Sequence, residues 1–189
     1  EMYVYQDKVM VFRPVQIVPA VLKVIDEGLV NMRDHVERMK EKKRKLELLR
    51  NGETIDDATI DVNDVYREVK NIKISIDIDN NTIVMENDGN GIDIVMHAEE
   101  KVYVPQMIFF ELLSGTNFND KEERTWGGRN GYGSKLISIF STECTIETVD
   151  VSRKLKYKQT CLKNMSIIEK PEIDKYRGIP FTRLTFKLD

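Results

Sequence analysis

Polar side chains recur at helical spacing between residues 27 and 38, and their types suit water chemistry. They stand at i, i+4, i+7, i+8 and i+11, and they are Glu27, Asn31, Asp34, His35 and Arg38. One helix face would carry all of them. A glutamate can take a proton from water, and an asparagine amide oxygen can bind a hard cation such as Mg²⁺ without adding charge. A solvated helix face has the same spacing, so the spacing alone leaves both interpretations open.

A second candidate is the polar turn 86–92, Glu-Asn-Asp-Gly-Asn-Gly-Ile, which directly follows a strand pattern. Asn87 or Asp88 could hydrogen-bond the amine edge of a purine, and the two glycines would let a ring lie against the backbone. An ordinary turn rich in Asn, Asp and Gly has the same composition, so this alternative also stays open.

A third candidate is a glycine-rich stretch that precedes an apolar run starting at Leu136. Its glycines are Gly127, Gly128, Gly131 and Gly133, and Lys135 follows them. Free backbone N–H groups at a helix start, with a lysine beside them, would suit phosphate. The stretch has neither the Walker pattern nor a strand leading into G-x-G-x-x-G, which excludes those two nucleotide-binding classes. A glycine loop without a ligand remains the alternative.

The other elements would position these groups. An apolar stripe predicts a helix from Val18, with Pro19 in its first turn. Alternation predicts a hairpin or edge strand at 2–13 and a hairpin at 73–85. A buried helix is predicted within 102–113, beginning near Pro105. The later predicted strands, antiparallel with one covered face, are 144–149, 154–161, 165–168 and 180–188.

Composition narrows the function classes. With a net charge of -3 and a pI of about 5.6, the chain is not itself expected to be a duplex-binding surface. No apolar run is long enough to span a bilayer. Cys144 and Cys161 lack zinc-site spacing and are expected to be free core thiols. The basic run 38–52 predicts either a helix extension or a surface arm, and the acidic residues after it favour a solvated insertion.

The helix face, the polar turn and the glycine loop occur in an order that resembles the GHKL ATPases. These include gyrase-type topoisomerases, chaperones, mismatch-repair proteins and sensor histidine kinases. Four longer stretches look like the N-terminal ATPase domain of eukaryotic-type type II DNA topoisomerases, and they are 25–31, 103–109, 127–136 and 139–142. The stretch 127–136 is the most specific of them. The resemblance covers the chain from about Tyr3 to its end, apart from 39–70.

The resemblance implies an α+β fold, a two-layer α/β sandwich of the GHKL (Bergerat) type, in which a mixed sheet carries helices on one face. It implies that Glu27 is the general base, that Asn31 ligates Mg²⁺ and that Asn87 holds the adenine amine. The other implied ATP contacts are His35, Arg38, Ile92, Thr116, Asn117, Gly128, Arg129, Asn130, Gly131, Tyr132, Gly133 and Lys135. We expect Glu27 to face the segment 127–135 across the site.

Three features depart from the family pattern. His35 stands where the family usually has Asn, and Gly115 stands where Ser is usual. The insertion 39–70 is longer than in cellular enzymes and is similar to the pattern of compact large-DNA-virus topoisomerases. These departures concern a ribose or phosphate contact at position 35 and a lost hydroxyl at position 115.

The implied function is that of an ATP-binding and ATP-hydrolysing gate domain, with ATP and Mg²⁺ as cofactors. In the full-length enzyme it would drive DNA strand passage as an ATP-promoted homodimer, inside the cell and without membrane attachment. The nucleus would be the site for a cellular enzyme, and the host cytoplasm for a viral one. We expect residues 1–189 to be one ATP-binding domain without the transducer and DNA-cleavage domains, and to hydrolyse ATP slowly alone. The alternatives are another GHKL ATPase and a nucleotide-binding module that does not hydrolyse.

Overall fold

The structure, a computed structural model, describes residues 1–55, 60–98, 100–111 and 133–189. Its elements, in chain order, are β1 (Met2–Gln6), β2 (Val9–Arg13), α1 (Pro19–Arg50), β3 (Ile72–Asp77), β4 (Thr82–Asp88), α2 (Val104–Phe110), α3 (Gly133–Ile139), β5 (Ser141–Asp150), β6 (Leu155–Leu162), β7 (Ile167–Ile168), β8 (Glu172–Lys175) and β9 (Phe181–Leu188).

A seven-stranded sheet forms one layer of the protein. Its strands run in the order β3-β4-β9-β5-β6-β7, and β8 also pairs with β6. Every pairing among the described strands is antiparallel. The last strand, β9, lies between β4 and β5, so the end of the chain completes the middle of the sheet. Strands β1 and β2 form a separate hairpin.

Helices cover one face of this sheet, as the alternation of its strands predicts. Ile83 and Met85 of β4 share that face with Phe186 of β9, and Val24 of α1 and Ile137 of α3 join them in the buried core. Gly28 brings α1 very close to β4, because a Cβ at that position would meet the sulfur of Met85. The core therefore fixes where the polar face of α1 lies relative to the end of β4.

The basic run extends α1, which ends at Arg50. Asn51 and Gly52 follow, and Gly52 has a φ of 83°, as expected of a glycine after a helix end. The described part of the insertion returns along α1. Lys42 lies 2.9 Å from a carboxylate oxygen of Asp64, and Leu46 is buried. Most residues of 60–70 are exposed, which agrees with the prediction of a solvated insertion, although Val69 is buried and Asp64 contacts α1.

Some helices and strands differ in their ends, or in their presence, from those predicted from the sequence. Helix α2 begins at Val104, next to the predicted start near Pro105. It stops at Phe110, because Glu111 is extended, so its predicted C-terminal end is too late. Helix α3 begins at Gly133, earlier than the apolar run indicates. Strand β8 was not predicted, because a four-residue segment with two acidic side chains and a lysine has little strand character.

The sequence was not expected to contain a membrane-spanning helix or a zinc site, and the structure bears on both features within its described residues. Among them, no helix has both the length and the apolar character needed to cross a bilayer. Within the same ranges, no three His, Cys, Asp or Glu side chains gather in a way that would hold a metal ion. Cys144 and Cys161 are free and buried, as predicted.

Candidate active site

The polar face of α1 turns into the protein. Asp34 and His35 are buried, and the Glu27 side chain keeps only 21% of its surface exposed. A solvated face would leave these groups in water, so that interpretation is wrong for this helix. Burial of charged and polar groups is unfavourable without partners, which makes the neighbours of each one informative.

Glu27 lies against the start of α3. A Cβ placed on Gly133 would touch the carboxylate oxygen Oε2 and would be 2.8 Å from the carboxylate carbon. The expected proximity of residue 27 to the 127–135 segment is therefore present at Gly133, and only a residue without a side chain allows it. The other oxygen, Oε1, is 2.8 Å from Nζ of Lys23, one turn earlier on α1. Glu27 is thus held in place yet still reachable by water.

Asn31 stands one turn further along the same face. Its amide nitrogen, Nδ2, is buried and has no hydrogen-bond partner among the described residues. The two ends of an asparagine amide are assigned from the surrounding hydrogen bonds, so a reversed amide would place the oxygen there. A buried polar atom without a partner is costly in a folded protein, which points to a bound group that the amide would satisfy.

His35 closes the row at the other end. Its Nε2–H donates to the backbone oxygen of Asn90 at 2.6 Å, so the ring is tied to the polar turn. Burial is the main cause that lowers the pKa of His35 to about 4; the hydrogen bond to Asn90 opposes this shift, and the charge of Arg38 adds to it. His35 is therefore neutral at pH 7 and acts here as a hydrogen-bond donor.

Asn87 and Asp88, the two candidates in the polar turn, have different hydrogen-bond partners. Oδ1 of Asp88 accepts from the backbone N–H groups of Lys70 and Asn71, at 2.7 and 2.9 Å. Asp88 is therefore occupied in holding residues 70–71. Asn87 is buried and shares the helix-covered face with Met85, and its Nδ2 donates to the backbone oxygen of Asp88 at 3.0 Å. Asn87 is the side chain that faces α1.

Strand β5 supports the residues after this turn. Thr148 accepts from the N–H of Ile92 at 2.9 Å, and Asp150 accepts from the N–H of Ile94 at 2.9 Å. Gly91 allows this approach, because a Cβ there would meet Thr148 and the backbone of Val149. Sequence reasoning missed these two supporting side chains, since neither Thr nor Asp in an ordinary strand signals such a role.

Asn90 is a second residue that the sequence did not single out. Its Oδ1 accepts from the N–H of Arg67 at 2.6 Å, and its Nδ2 donates to the oxygen of Val65 at 3.0 Å. With His35 on its backbone oxygen, Asn90 joins α1, the turn and the return segment of the insertion. The extra asparagine between the two glycines was the only sequence signal available.

Lys135 lies one turn into α3 and is 1% exposed. Burial lowers its pKa, and the nearby carboxylate of Glu111 opposes that shift. Ser134, beside it, donates to the backbone oxygen of Ile108 at 2.6 Å, which fastens α3 to α2. Its ammonium is a buried positive charge two residues after Gly133, and Glu111 is the carboxylate that acts on it.

The remaining predicted residues are less informative. Arg38 is on the same helix face as His35 but is exposed. Thr116 and Asn117 lie outside the described residues, as do Gly115 and Gly127. The same holds for the predicted loop contacts Gly128, Arg129, Asn130, Gly131 and Tyr132.

Known proteins resemble this chain over its whole length. It is 40% identical to DNA topoisomerase 2 of Meyerozyma guilliermondii over 181 residues, which is 95% of this chain and 11% of that protein. It is 39% identical to DNA topoisomerase 2 of Pisum sativum over 189 residues, again 11% of that protein. The chain therefore spans about a tenth of the length of these relatives. No protein-family model matches it.

Solved structures agree with these relatives. The ATPase region of Saccharomyces cerevisiae topoisomerase II is 37% identical, with a TM-score of 0.74 over 100% of this chain and 43% of that one. The ATPase and transducer domains of DNA topoisomerase II from Balamuthia mandrillaris are also 37% identical, with a TM-score of 0.76 over 100% of this chain and 42% of that one. By sequence and by its α+β fold, the chain belongs to the GHKL ATPase domains of eukaryotic-type DNA topoisomerase II.

Proposed function

We propose that this chain binds ATP and hydrolyses it as the gate domain of a type II DNA topoisomerase. The observation that carries the proposal is the contact of the Glu27 carboxylate with Gly133 at the start of α3. It brings a water-accessible carboxylate to the first residue of α3, and Lys135, two residues further along that helix, is buried. Hydrolysis of a phosphoanhydride needs a positioned water and a stabilised terminal phosphate, and these two groups suit those needs.

Each residue then has one task. Glu27 orients the attacking water and takes its proton, and Lys23 fixes the carboxylate through the contact at Oε1. Asn87 binds the adenine amine from the helix-covered face of β4, with the turn held by Thr148 beneath Ile92. Lys135 and Arg38 contribute positive charge to the binding of the phosphates. His35 fixes the turn through Asn90.

The magnesium ion belongs to the same proposal. Asn31 fits it, because its buried amide lacks a partner and a reversed amide would offer an oxygen ligand. Such an ion, when bound, neutralises charge on the phosphate oxygens. The backbone of Gly128 to Tyr132, with Thr116 and Asn117, completes the proposed nucleotide contacts.

The wider role extends to the full-length enzyme. Binding of ATP would close two copies of this domain, and hydrolysis would reset DNA strand passage. The hairpin β1–β2 supports such pairing, because Tyr3 and Tyr5 are 67% and 70% exposed. Large exposed aromatic side chains mark association surfaces. The enzyme would act where its DNA lies, in the nucleus of a cell or at the cytoplasmic replication sites of a large DNA virus.

Two measurements test this function. A non-hydrolysable ATP analogue with Mg²⁺ should raise the melting temperature of the chain, because binding to the folded state alone stabilises it. In the full-length enzyme, Glu27→Gln should lower ATP turnover by about 10²- to 10⁴-fold, the usual contribution of a general base, while analogue binding persists. Binding of the analogue without turnover in either the wild type or Glu27→Gln would instead favour a nucleotide-binding module, and equal measurable turnover in the two would remove Glu27 as the general base. Absence of any thermal shift would end the proposal.

A further inference from the structure

A chain of hydrogen bonds links α2 to β6 beneath the proposed site. Nε2 of Gln159 donates to Oε1 of Gln106 at 2.9 Å and to the backbone oxygen of Glu169 at 2.8 Å. Oε1 of Gln159 accepts from the hydroxyl of Tyr157 at 2.5 Å. Both β6 side chains are buried. The amide of Gln159 is therefore oriented by three contacts, one of which reaches α2.

The same chain continues from Gln106 to the end of α2. Nε2 of Gln106 donates to Oε1 of Glu111 at 2.8 Å. Glu111 is the residue at which α2 ends, and its charge acts on Lys135, as the pKa of that lysine reflects. A buried polar chain of this kind rigidifies its elements when every member has a partner.

Helix α3 is fastened to α2 by two serine hydroxyls. Ser134 donates to the backbone oxygen of Ile108, and Ser138 donates to that of Phe109 at 3.2 Å. These oxygens belong to the last turn of α2, whose carbonyl groups lack partners within the helix. Because Lys135 follows Ser134 directly, the position of its backbone depends on the placement of α2.

We propose that Gln106 is a positioning residue for Lys135: its bonds to Gln159 and Glu111 fix α2, and α2 fixes the start of α3. The inference rests on the proposed function, since it concerns the group that would contact the phosphates of ATP. Gln106 lies in the stretch 103–109 that resembles the family, but the resemblance implies no role for its side chain. Its effect should appear in recognition of the phosphates and not of the adenosine.

The test compares affinity for a non-hydrolysable ATP analogue with affinity for adenosine, both measured by calorimetric titration of the 189-residue chain. Gln106→Glu keeps an oxygen that accepts from Gln159. It loses the hydrogen bond to Glu111, because a carboxylate cannot donate a proton, and it places a second negative charge beside Glu111. We expect the ratio of the two affinities to fall by about tenfold, as for loss of one hydrogen bond to a charged group. Gln106→Ala removes both bonds without adding charge and should lower the ratio in the same direction.

A reciprocal exchange provides the rescue. In the double variant Gln106→Glu with Glu111→Gln, the carboxamide at 111 donates to the carboxylate at 106, which also accepts from Gln159. The net charge equals that of the wild type, so recovery of the wild-type ratio assigns the effect to the hydrogen bonds. Gln16→Glu makes the same chemical change at an exposed position and should leave the ratio unchanged.

Each outcome separates the two proposals. If the wild-type chain binds neither ligand, the proposed function fails before this inference is reached. If the wild type binds but Gln106→Glu and Gln106→Ala weaken both ligands equally, Gln106 is only structural and the inference is overturned. Failure of the exchange to restore the ratio overturns it as well. Melting temperatures identify folded variants, and Gln106→Ala carries the test if Gln106→Glu does not fold.

Discussion

The carboxylate of Glu27 lies where a side chain on Gly133 would have to be. This contact joins the first third of α1 to the first residue of α3, across more than a hundred positions of sequence. The Glu27 carboxylate therefore leaves room only for a glycine at position 133. Substitution by alanine, which adds one methyl group, tests this.

Gly133→Ala should lower ATP turnover of the full-length enzyme by about 100-fold while changing the melting temperature little. The methyl group displaces the Glu27 carboxylate, and a shift of about 1 Å in a catalytic group has that order of effect. Stability is retained because the displaced atoms are the far end of a flexible side chain. In a Glu27→Gln background the same substitution should add almost no further loss, since both changes act on one group. Fully additive losses would contradict this explanation.

His35 should make the stability of the chain fall in mild acid. Its pKa is lowered to about 4 by burial, from 6.5 for a free histidine, so the unfolded chain binds a proton more readily than the folded one. The stability contribution is complete above about pH 6.5 and is lost as the pH falls toward 4, by roughly 3 kcal/mol. Urea unfolding between pH 4.5 and 7.5 measures the slope.

The control for this pH dependence is a comparison of two histidine variants. His35→Asn should remove the part of the slope that belongs to His35. His97→Gln, a change at the other histidine in the chain, should keep it. The same slope in wild type and His35→Asn would show that the ring does not remain neutral in the folded state.

Asn31→Ala should separate stability from cation binding. The amide nitrogen is buried without a hydrogen-bond partner in the described structure, and such a group costs about 1–3 kcal/mol. Its removal offsets the small cavity left behind, so the melting temperature without ligand should stay the same or rise. The extra thermal shift that Mg²⁺ adds to an ATP analogue should disappear.

Asn87→Ala is the matched variant for that experiment. It should weaken the thermal shift by the analogue both with and without Mg²⁺, because Asn87 is proposed to hold the adenine. A Mg²⁺ effect that survives in Asn31→Ala would remove Asn31 from the proposed ligands.

Asn90→Ala should loosen the return segment of the insertion. Two side-chain bonds, to Arg67 N–H and to the Val65 oxygen, are lost, and each contributes about 1 kcal/mol. We expect the free energy of unfolding to fall by about 2 kcal/mol and proteolysis within 60–68 to become faster. Asn63→Ala, at an exposed residue of the same segment, is the control. Equal protease sensitivity in the two variants would argue that Asn90 does not anchor this segment.

The hairpin β3–β4 was predictable because it depends on local pattern. Residues 73–79 alternate strictly, and Asn80 and Asn81 provide the turn, with Asn81 in a left-handed conformation at φ 52°. Helix α1 was equally clear from its apolar stripe. Both predictions need only the spacing of the apolar residues along the chain.

The contacts within the candidate site were harder to predict from the sequence. The resemblance to the family indicated the proximity of Glu27 to the 127–135 segment, and the structure describes that proximity at Gly133 alone. The bond from His35 to Asn90 joins residues 55 positions apart, and no periodic pattern encodes it. The hydrogen bonds from Lys70 and Asn71 to Asp88 were not predictable either, because they join segments 17 and 18 positions apart.

The return of the insertion to Asn90 has a practical consequence for spectroscopy. Residues 53 and 54, just beyond the end of α1, are exposed, while residues 65–67 are bonded to the turn that would hold adenine. A fluorophore attached at Glu53 would lie in the same insertion as residues 65–67, which are bonded to the turn proposed to hold adenine. Nucleotide occupancy could then be followed optically from a location that makes no contact with the nucleotide.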